Sequence, residues 1–298
     1  MNGDEHYKVS LIIPCRNEKD LLAQTVSSLM LAQTNITFEL IIVDDGSYDG
    51  CCDFLDKISP SFSNLKLIRT ANQGAANARN LGGWYAAGDI FIFCDAHITV
   101  PHYWLEHLTS PFRDPAVHAL VPGIGVFGNP EAVAYGGTWD KSQNWCWLGM
   151  QSDKEIIPVP FAPGGCVAIR ATTFRTIGGF DPGIKTWGYE DQEISLKLWL
   201  FGYNIYATSQ VNVLHVFRKK HPYQVGMVNL LHNLLRMNFL HLNKQRINKS
   251  IDLLKEQQLF NAAITTVVLS DVWQVRKRYQ LQRKFDDDWF IAKFNIPF

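Results

Sequence analysis

Asp95 and His97 stand two residues apart, directly after the apolar run Ile90 to Phe93. A carboxylate and an imidazole placed so closely can grip one ion, and the mixed donor set suits manganese, or magnesium, better than calcium. Such an ion neutralises a departing diphosphate as a Lewis acid. The same tripeptide can equally cap a turn, so it decides nothing alone. Glu190 and Asp191 form a second acidic pair, at the start of a stretch, Glu190 to Leu200, that has helical spacing. Acids are favoured there by the helix dipole, and the same two residues could bind a substrate and act as a general base. Asp45, in Asp44-Asp45-Gly46-Ser47, is good turn chemistry and also a natural acceptor for ribose hydroxyls.

These groups need a frame. Val9 to Ile13 is a short apolar run stopped by Pro14, and Phe38 to Val43, Leu65 to Ile68 and Ile90 to Phe93 are three more. Helical patterns lie between them, with Leu22, Val26, Leu29 and Met30 in one and Asn72 to Ala87 in another. Strands alternating with helices predict an α/β fold with a doubly wound, mostly parallel sheet. Ligands bind such sheets outside the carboxyl ends of the strands. The clusters at 14–18, 44–47 and 95–97 all fall there and face one crevice. Residues 122–163 are irregular and rich in Gly, Pro and Trp, which in a compact domain marks a functional or mobile insertion. Gly164-Gly165 opens a strand over Cys166 to Ile169, and Ile205 to Phe217 reads as paired strands. Val228, Leu231, Leu235, Phe239 and Leu242 mark an apolar helical stripe, with a second helical region from Ile251 to Lys284. The expected division is a catalytic domain over 1–223 and a helical extension over 224–298.

Seven ordered segments resemble known glycosyltransferases. Pro14-Cys-Arg-Asn-Glu18, Val43-Asp-Asp-Gly-Ser47 and Asn72-Gln-Gly-Ala-Ala-Asn-Ala-Arg79 are similar to segments of the family 2 enzymes. Cys94-Asp95-Ala96-His97, Trp187-Gly-Tyr-Glu190-Asp191-Gln-Glu-Ile-Ser195 and His215-Val-Phe-Arg218-Lys, with Pro222-Tyr223 beyond, resemble motifs of the polypeptide N-acetylgalactosaminyltransferases. Pro163-Gly164-Gly165 matches their glycine turn. The resemblance implies the GT-A glycosyltransferase fold, a nucleotide-binding α/β sandwich, and makes His215 the third metal ligand beside Asp95 and His97. It places Pro14, Arg16, Glu18, Asp45 and Arg79 at the nucleotide, with Gly164, Gly165 and Trp187 at the donor. Arg218, His221 and Tyr223 fall where those enzymes close a loop over the diphosphate, excluding water that would hydrolyse the donor. The N-acetylgalactosaminyltransferases carry Glu-Asn where this chain has Glu190-Asp191, and they retain anomeric configuration. Inverting family 2 enzymes carry Glu-Asp. The departure favours inversion, with Asp191 as base and Glu190 on sugar hydroxyls.

The implied donor is a UDP-sugar carrying a hexose or an N-acetylhexosamine, and the acceptor is a glycan, a peptide or a lipid-linked sugar. Charge points to no other partner: 28 basic residues balance 28 acidic ones, so no global field favours nucleic acid. No run of about 18 apolar residues is present, which argues against a membrane span. The polar start MNGDEHYK is unlike a secretory signal. Six cysteines without a Cys-x-x-Cys pair, three of them in apolar runs (Cys15, Cys94, Cys166), fit a reducing, cytoplasmic setting. The aromatic tail Trp289 to Phe298, after the basic Arg276-Lys277-Arg278, either folds back or rests on a membrane surface; packing is the favoured reading. A catalytically silent nucleotide-sugar-binding module is a competing class, and so is a nucleotidyltransferase. The latter leaves the segments after residue 187 unexplained.

Overall fold

The computed structural model describes residues 8–150 and 154–298, so most of the polar start lies outside the described residues. Four strands and three helices alternate first: β1 (Val9–Cys15), α1 (Asp20–Leu31), β2 (Phe38–Asp45), α2 (Asp53–Ile58), β3 (Leu65–Thr70), α3 (Ala75–Tyr85) and β4 (Ile90–Cys94). The strands pair in parallel in the order β3-β2-β1-β4. Strand side chains alternate between faces, and these strands bury both. Leu11, Ile13, Leu40, Ile42 and Ile92 belong to one core. Ile12, Ile41, Val43, Phe91 and Phe93 belong to the other. Burial on both faces is why the runs are apolar without a break.

The chain continues through β5 (Ile98–Thr99), α4 (Trp104–Thr109), β6 (Ala119–Val126), β7 (Asn129–Ala134), β8 (Gly137–Trp139), β9 (Trp145–Trp147), β10 (Ile156–Pro158), β11 (Cys166–Arg170), α5 (Ala171–Ile177), α6 (Glu190–Leu200) and β12 (Ile205–His215). The parallel half extends from β4 through β11, β6 and β12 to β10, with β11 antiparallel to both of its neighbours and β12 parallel to β6. The central sheet is therefore mixed, and its parallel pattern is confined to the first half and to the β6–β12 pair. The stretch read as irregular holds β7, the β8–β9 hairpin and β10 among its described residues. The stretch read as paired strands is one strand, β12. Its register shifts between Ala207 and Asn212, where Ser209 and Gln210 are exposed. Two polar residues in an apolar run look like a turn between two strands, but here they lie in an irregular stretch of one strand.

Five helices follow: α7 (Met227–His241), α8 (Lys244–Leu254), α9 (Phe260–Val268), α10 (Val272–Gln282) and α11 (Asp287–Phe294). The predicted stripe is real, since Leu231, Leu235, Phe239 and Leu242 are buried, and they join the core that covers one sheet face. The aromatic tail folds back: Phe298 meets Trp139 edge-on at 5.7 Å and Phe290 lies 5.6 Å from Phe161. Arg276 donates to the Phe239 carbonyl. Among the described residues, no helix is long and apolar enough to cross a membrane.

Candidate active site

The strand ends deliver the three ligand candidates by backbone geometry. Asp95 directly follows β4, and its N–H donates to the Gly165 carbonyl at 3.1 Å. His215 closes β12 opposite Ile98 of β5, and the Val216 N–H donates to the His97 carbonyl at 3.0 Å. That pairing brings the two imidazoles to 4.6 Å between centroids. His215 Nε2 lies 3.2 Å from Asp95 Oδ2, and His97 Nε2 lies 3.9 Å from the same oxygen. One donor atom from each residue falls within 4.8 Å of the others. Gly165 makes room for this, because a Cβ there would stand 3.1 Å from the His215 ring.

Burial alone would raise the Asp95 pKa. The hydrogen bond from His215 and the charges of Arg79 and His97 outweigh it and hold the carboxyl well below its usual range. Asp95 is thus an anion ready to ligate. The donor set is one carboxylate and two imidazoles, and it fits a borderline divalent ion. Glu18 completes it from behind: Glu18 Oε2 lies 3.2 Å from His97 Nδ1. Once Arg218, a donor only, swings off Nδ1, a proton there would go to Glu18 and leave Nε2 for an ion on the Asp95 side, the usual outer support of a ligating histidine. Arg218 Nη2 donates to Glu18 Oε1 at 2.9 Å and approaches His97 Nδ1 at 2.7 Å. Glu18, expected at the nucleotide, therefore contacts a ligand candidate and the covering loop.

Arg79 ties this cluster to the acidic pair. Its buried guanidinium donates to Asp95 Oδ1 at 2.9 Å and to Glu190 Oε1 at 3.0 Å. Glu190 is further fixed by the Gly188 N–H at 2.7 Å, in a turn where Gly188 (φ 98) and Tyr189 (φ 69) are left-handed. Asp191 Oδ2 accepts from the Gly164 N–H at 3.2 Å and Oδ1 from the Gln192 N–H at 2.8 Å. Burial, and next the Glu190 charge, push the Asp191 carboxyl up to about 7, against the pull of those two N–H groups and Arg79. The two adjacent carboxyls thus sit in different environments, Glu190 on Arg79 and the Gly188 N–H, Asp191 on two backbone N–H groups.

The ends of β1 and β2 form the other wall. Asp45 accepts from the Gln73 and Gly74 N–H groups at 2.6 and 2.8 Å, which fixes the turn before α3. Burial still raises its pKa. Each of its oxygens keeps a second lone pair for a ligand. Arg16 lies 5.2 Å over the Tyr223 ring. Trp187 and His221 pack at 4.3 Å between centroids with their planes tilted by 56°, and the Asn17 amide reaches the Pro222 carbonyl at 3.5 Å. The loop after β12 is thus laid across the crevice by Arg218, His221, Pro222 and Tyr223.

Arg16, Glu18, Asp45, Arg79, Asp95, His97, Trp187, Glu190, Asp191, His215, Arg218, His221 and Tyr223 all line one cavity of about 650 Å³, together with Pro14, Gly164 and Gly165. Among the described residues four buried side-chain polar atoms lack a partner, and three of them (Arg16 Nε, His215 Nδ1 and Trp145 Nε1) belong to residues lining this cavity. Unsatisfied buried donors are rare in native proteins, so their gathering here marks a ligand-shaped void. Trp145 and Trp147 of the Trp-rich insertion also line the cavity, and so does Gln143, which no sequence motif marks. The hairpin of that insertion carries them to the rim.

A family comparison agrees with this geometry: the profile of glycosyl transferase family 2 matches residues 10–178. The chain belongs to that family. The profile described as the N-terminal domain of galactosyltransferase matches residues 153–222, the stretch that carries Gly164, Asp191 and His215. Polypeptide N-acetylgalactosaminyltransferase 8 of Drosophila melanogaster is 33% identical over 225 residues, covering 70% of this chain and 38% of the relative. The probable N-acetylgalactosaminyltransferase 8 of Caenorhabditis elegans is 27% identical over 259 residues, covering 78% and 61%. The chain thus spans less than two thirds of the length of these relatives. The crystal structure of GalNAc-T7 with UDP, GalNAc and Mn2+ superposes with a TM-score of 0.77 at 23% identity, over 98% of this chain and 57% of that one. That likeness establishes the GT-A type of fold for this glycosyltransferase family member.

Proposed function

We propose that this chain transfers a sugar from a UDP-sugar to an acceptor with the help of manganese or magnesium. The observation that carries the reading is the convergence of Asp95, His97 and His215 in the cavity that Arg16 and Asp45 also line. These three residues would hold the ion, and when bound it neutralises charge on the leaving diphosphate. Glu18 orients His97, and Arg79 keeps Asp95 ionised while pinning Glu190. Arg16 offers an unpaired N–H and Asp45 its free lone pairs to the nucleoside. The loop bearing Arg218, His221 and Tyr223 shields the diphosphate from water.

At the reacting carbon, Asp191 takes the proton of the acceptor hydroxyl. The acceptor oxygen forms its bond to the anomeric carbon as the bond to the diphosphate oxygen breaks, and configuration inverts. A base poised near neutrality is the efficient choice, and the raised Asp191 carboxyl supports this role. A retaining outcome with a peptide acceptor is the second reading, favoured by identity to polypeptide N-acetylgalactosaminyltransferases. Trp145 and Trp147 at the cavity rim suit a glycan or glycosylated acceptor, since sugars stack on flat aromatic faces. We place the enzyme in a reducing compartment, in keeping with six cysteines that are all free and five of them buried.

The test is incubation with a panel of α-linked UDP-sugars, manganese and glycan, peptide and lipid-linked acceptors. The product's anomeric configuration is then read by NMR. A β-linked product is expected. An α-linked product would reject Asp191 as inverting base and support the retaining reading, and no turnover with any donor would point to a silent binding module.

A further inference from the structure

Behind the nucleotide wall lies a second cluster that this reading does not use. Cys15 closes β1, and Cys51 and Cys52 immediately precede α2. All three are buried, at 3%, 5% and 3% exposure. Cys15 Sγ is 3.4 Å from Cys52 Sγ, and Cys52 Sγ is 3.8 Å from Cys51 Sγ. The three sulfurs lie within 4.8 Å of one another. Sulfurs bound at about 2.3 Å to one tetrahedral zinc ion stand about 3.8 Å apart, so little movement separates this trio from a metal's first shell. Cys94 and Cys166 are a useful contrast: they approach to 3.7 Å across the β4–β11 pair, but as an isolated pair in the sheet interior.

A separate opening of about 290 Å³ reaches Cys51 and Cys52 and is also lined by Asp44, Ser47, Tyr48 and Arg69, while Cys15 lines the large cavity. Asp44 presents a carboxylate to it, and Arg69 Nε lies 3.8 Å from Asp44 Oδ2. A zinc ion on three thiolates carries one net negative charge; the nearby cation, Arg69, is held by Asp56 at 2.7 and 3.1 Å.

We propose that Cys15, Cys51 and Cys52 form a zinc-type thiolate site, with its fourth position turned toward the Asp44 side of this opening. Binding exchanges three S–H bonds for three sulfur–metal bonds and releases three protons to solvent; no electron is transferred. The site would staple the turn after β1 to the turn after β2. Those turns carry Arg16 and lie beside Asp45, so the ion stiffens the nucleotide wall without touching the sugar. The soft donor set separates it from the Asp95 site, whose oxygen and nitrogen donors suit harder ions.

The experiment uses the full chain, reduced and stripped with chelator, and titrated with cobalt(II) in the presence of excess manganese. A near-ultraviolet thiolate-to-cobalt charge-transfer band should saturate at one equivalent and be displaced by zinc. Cys52→Ser should weaken zinc by more than the about 10–100-fold that loss of an outer partner costs, and His215→Ala should leave the band unchanged. If the serine variant fails to fold, alkylation of the wild-type chain in enough denaturant to open the apo protein, mapped by mass spectrometry, decides. Zinc should then protect Cys15, Cys51 and Cys52 and leave Cys146 reactive. Absence of the band at one equivalent, its loss in His215→Ala, or equal alkylation with and without zinc would overturn the proposal. Oxidation of Cys15 and Cys52 to a disulfide under zinc would do the same.

Discussion

Two clusters of ionisable side chains in this molecule use nearly the same residue types for opposite ends. Glu193 accepts from His241 at 2.9 Å and from the Asp181 N–H at 3.1 Å, and pairs with Lys197 at 3.2 Å. Arg236 meets Asp181 through two hydrogen bonds of 2.6 and 2.9 Å. Arg236 and His241 belong to α7, while Glu193 and Lys197 lie on α6, so this cluster fastens the C-terminal helices to the first 223 residues. The cavity cluster likewise has Glu18, Asp95, His97, Arg79, Glu190 and His215. The first is sealed, and its named groups are partnered on the protein. In the second, the Asp95 side chain is 24% exposed and His215 Nδ1 is unpartnered. A buried charge network is weak evidence of function by itself; the open one, with donors left over, is where a ligand belongs.

Substitutions should separate the two. Asp95→Ala removes the anionic member of the proposed metal site, which is worth several kcal/mol, so turnover should fall by about 10³-fold or more. Steady-state kinetics with manganese checks this, and denaturant unfolding should show a smaller stability loss than the sealed cluster gives. Arg236→Met strands the buried Asp181 and should cost about 3–5 kcal/mol in unfolding free energy, with a nearly unchanged kcat for the protein that stays folded. Either variant behaving like the other would erase the distinction drawn here.

The sequence displayed one cluster far better than the other. The parallel strands and the crevice at their ends were legible because two-faced burial leaves unbroken apolar runs, and α6 began and ended where its acids and apolar residues indicated. The antiparallel course of β11 was invisible, because strand direction is set by partners far along the chain. The irregular stretch in β12 looked like a turn for the reason its polar residues give. Motif order recruited His215 to Asp95 across 120 residues, but nothing local links Glu18 to His97 or Arg236 to Asp181. Such pairs form only once the helices dock.

A third variant probes the open cluster's chemistry. Asp191→Asn should slow transfer by about 10²-fold, the lower range for loss of a general base. In the wild type kcat/KM should rise as pH passes about 7 and Asp191 ionises; in the variant that rise should vanish. Stability runs the other way. The folded-state pKa lies above the ordinary carboxylate value, so this group's contribution is fully present at low pH and is lost as pH rises through about 7. Asp191→Asn should thus unfold at higher denaturant than wild type at pH 8, and equal midpoints would reject the raised carboxyl. The smallest effect is expected for Glu18→Gln, which weakens support of His97 and should lower manganese affinity about tenfold, measured by titration calorimetry.

The central claim is that Asp95, His97 and His215 share one ion. Electron paramagnetic resonance of manganese titrated into the chain with UDP present tests it most directly. One tight equivalent should bind wild type, and both Asp95→Ala and His215→Ala should lose it while remaining folded. Undiminished manganese binding in His215→Ala would contradict the account.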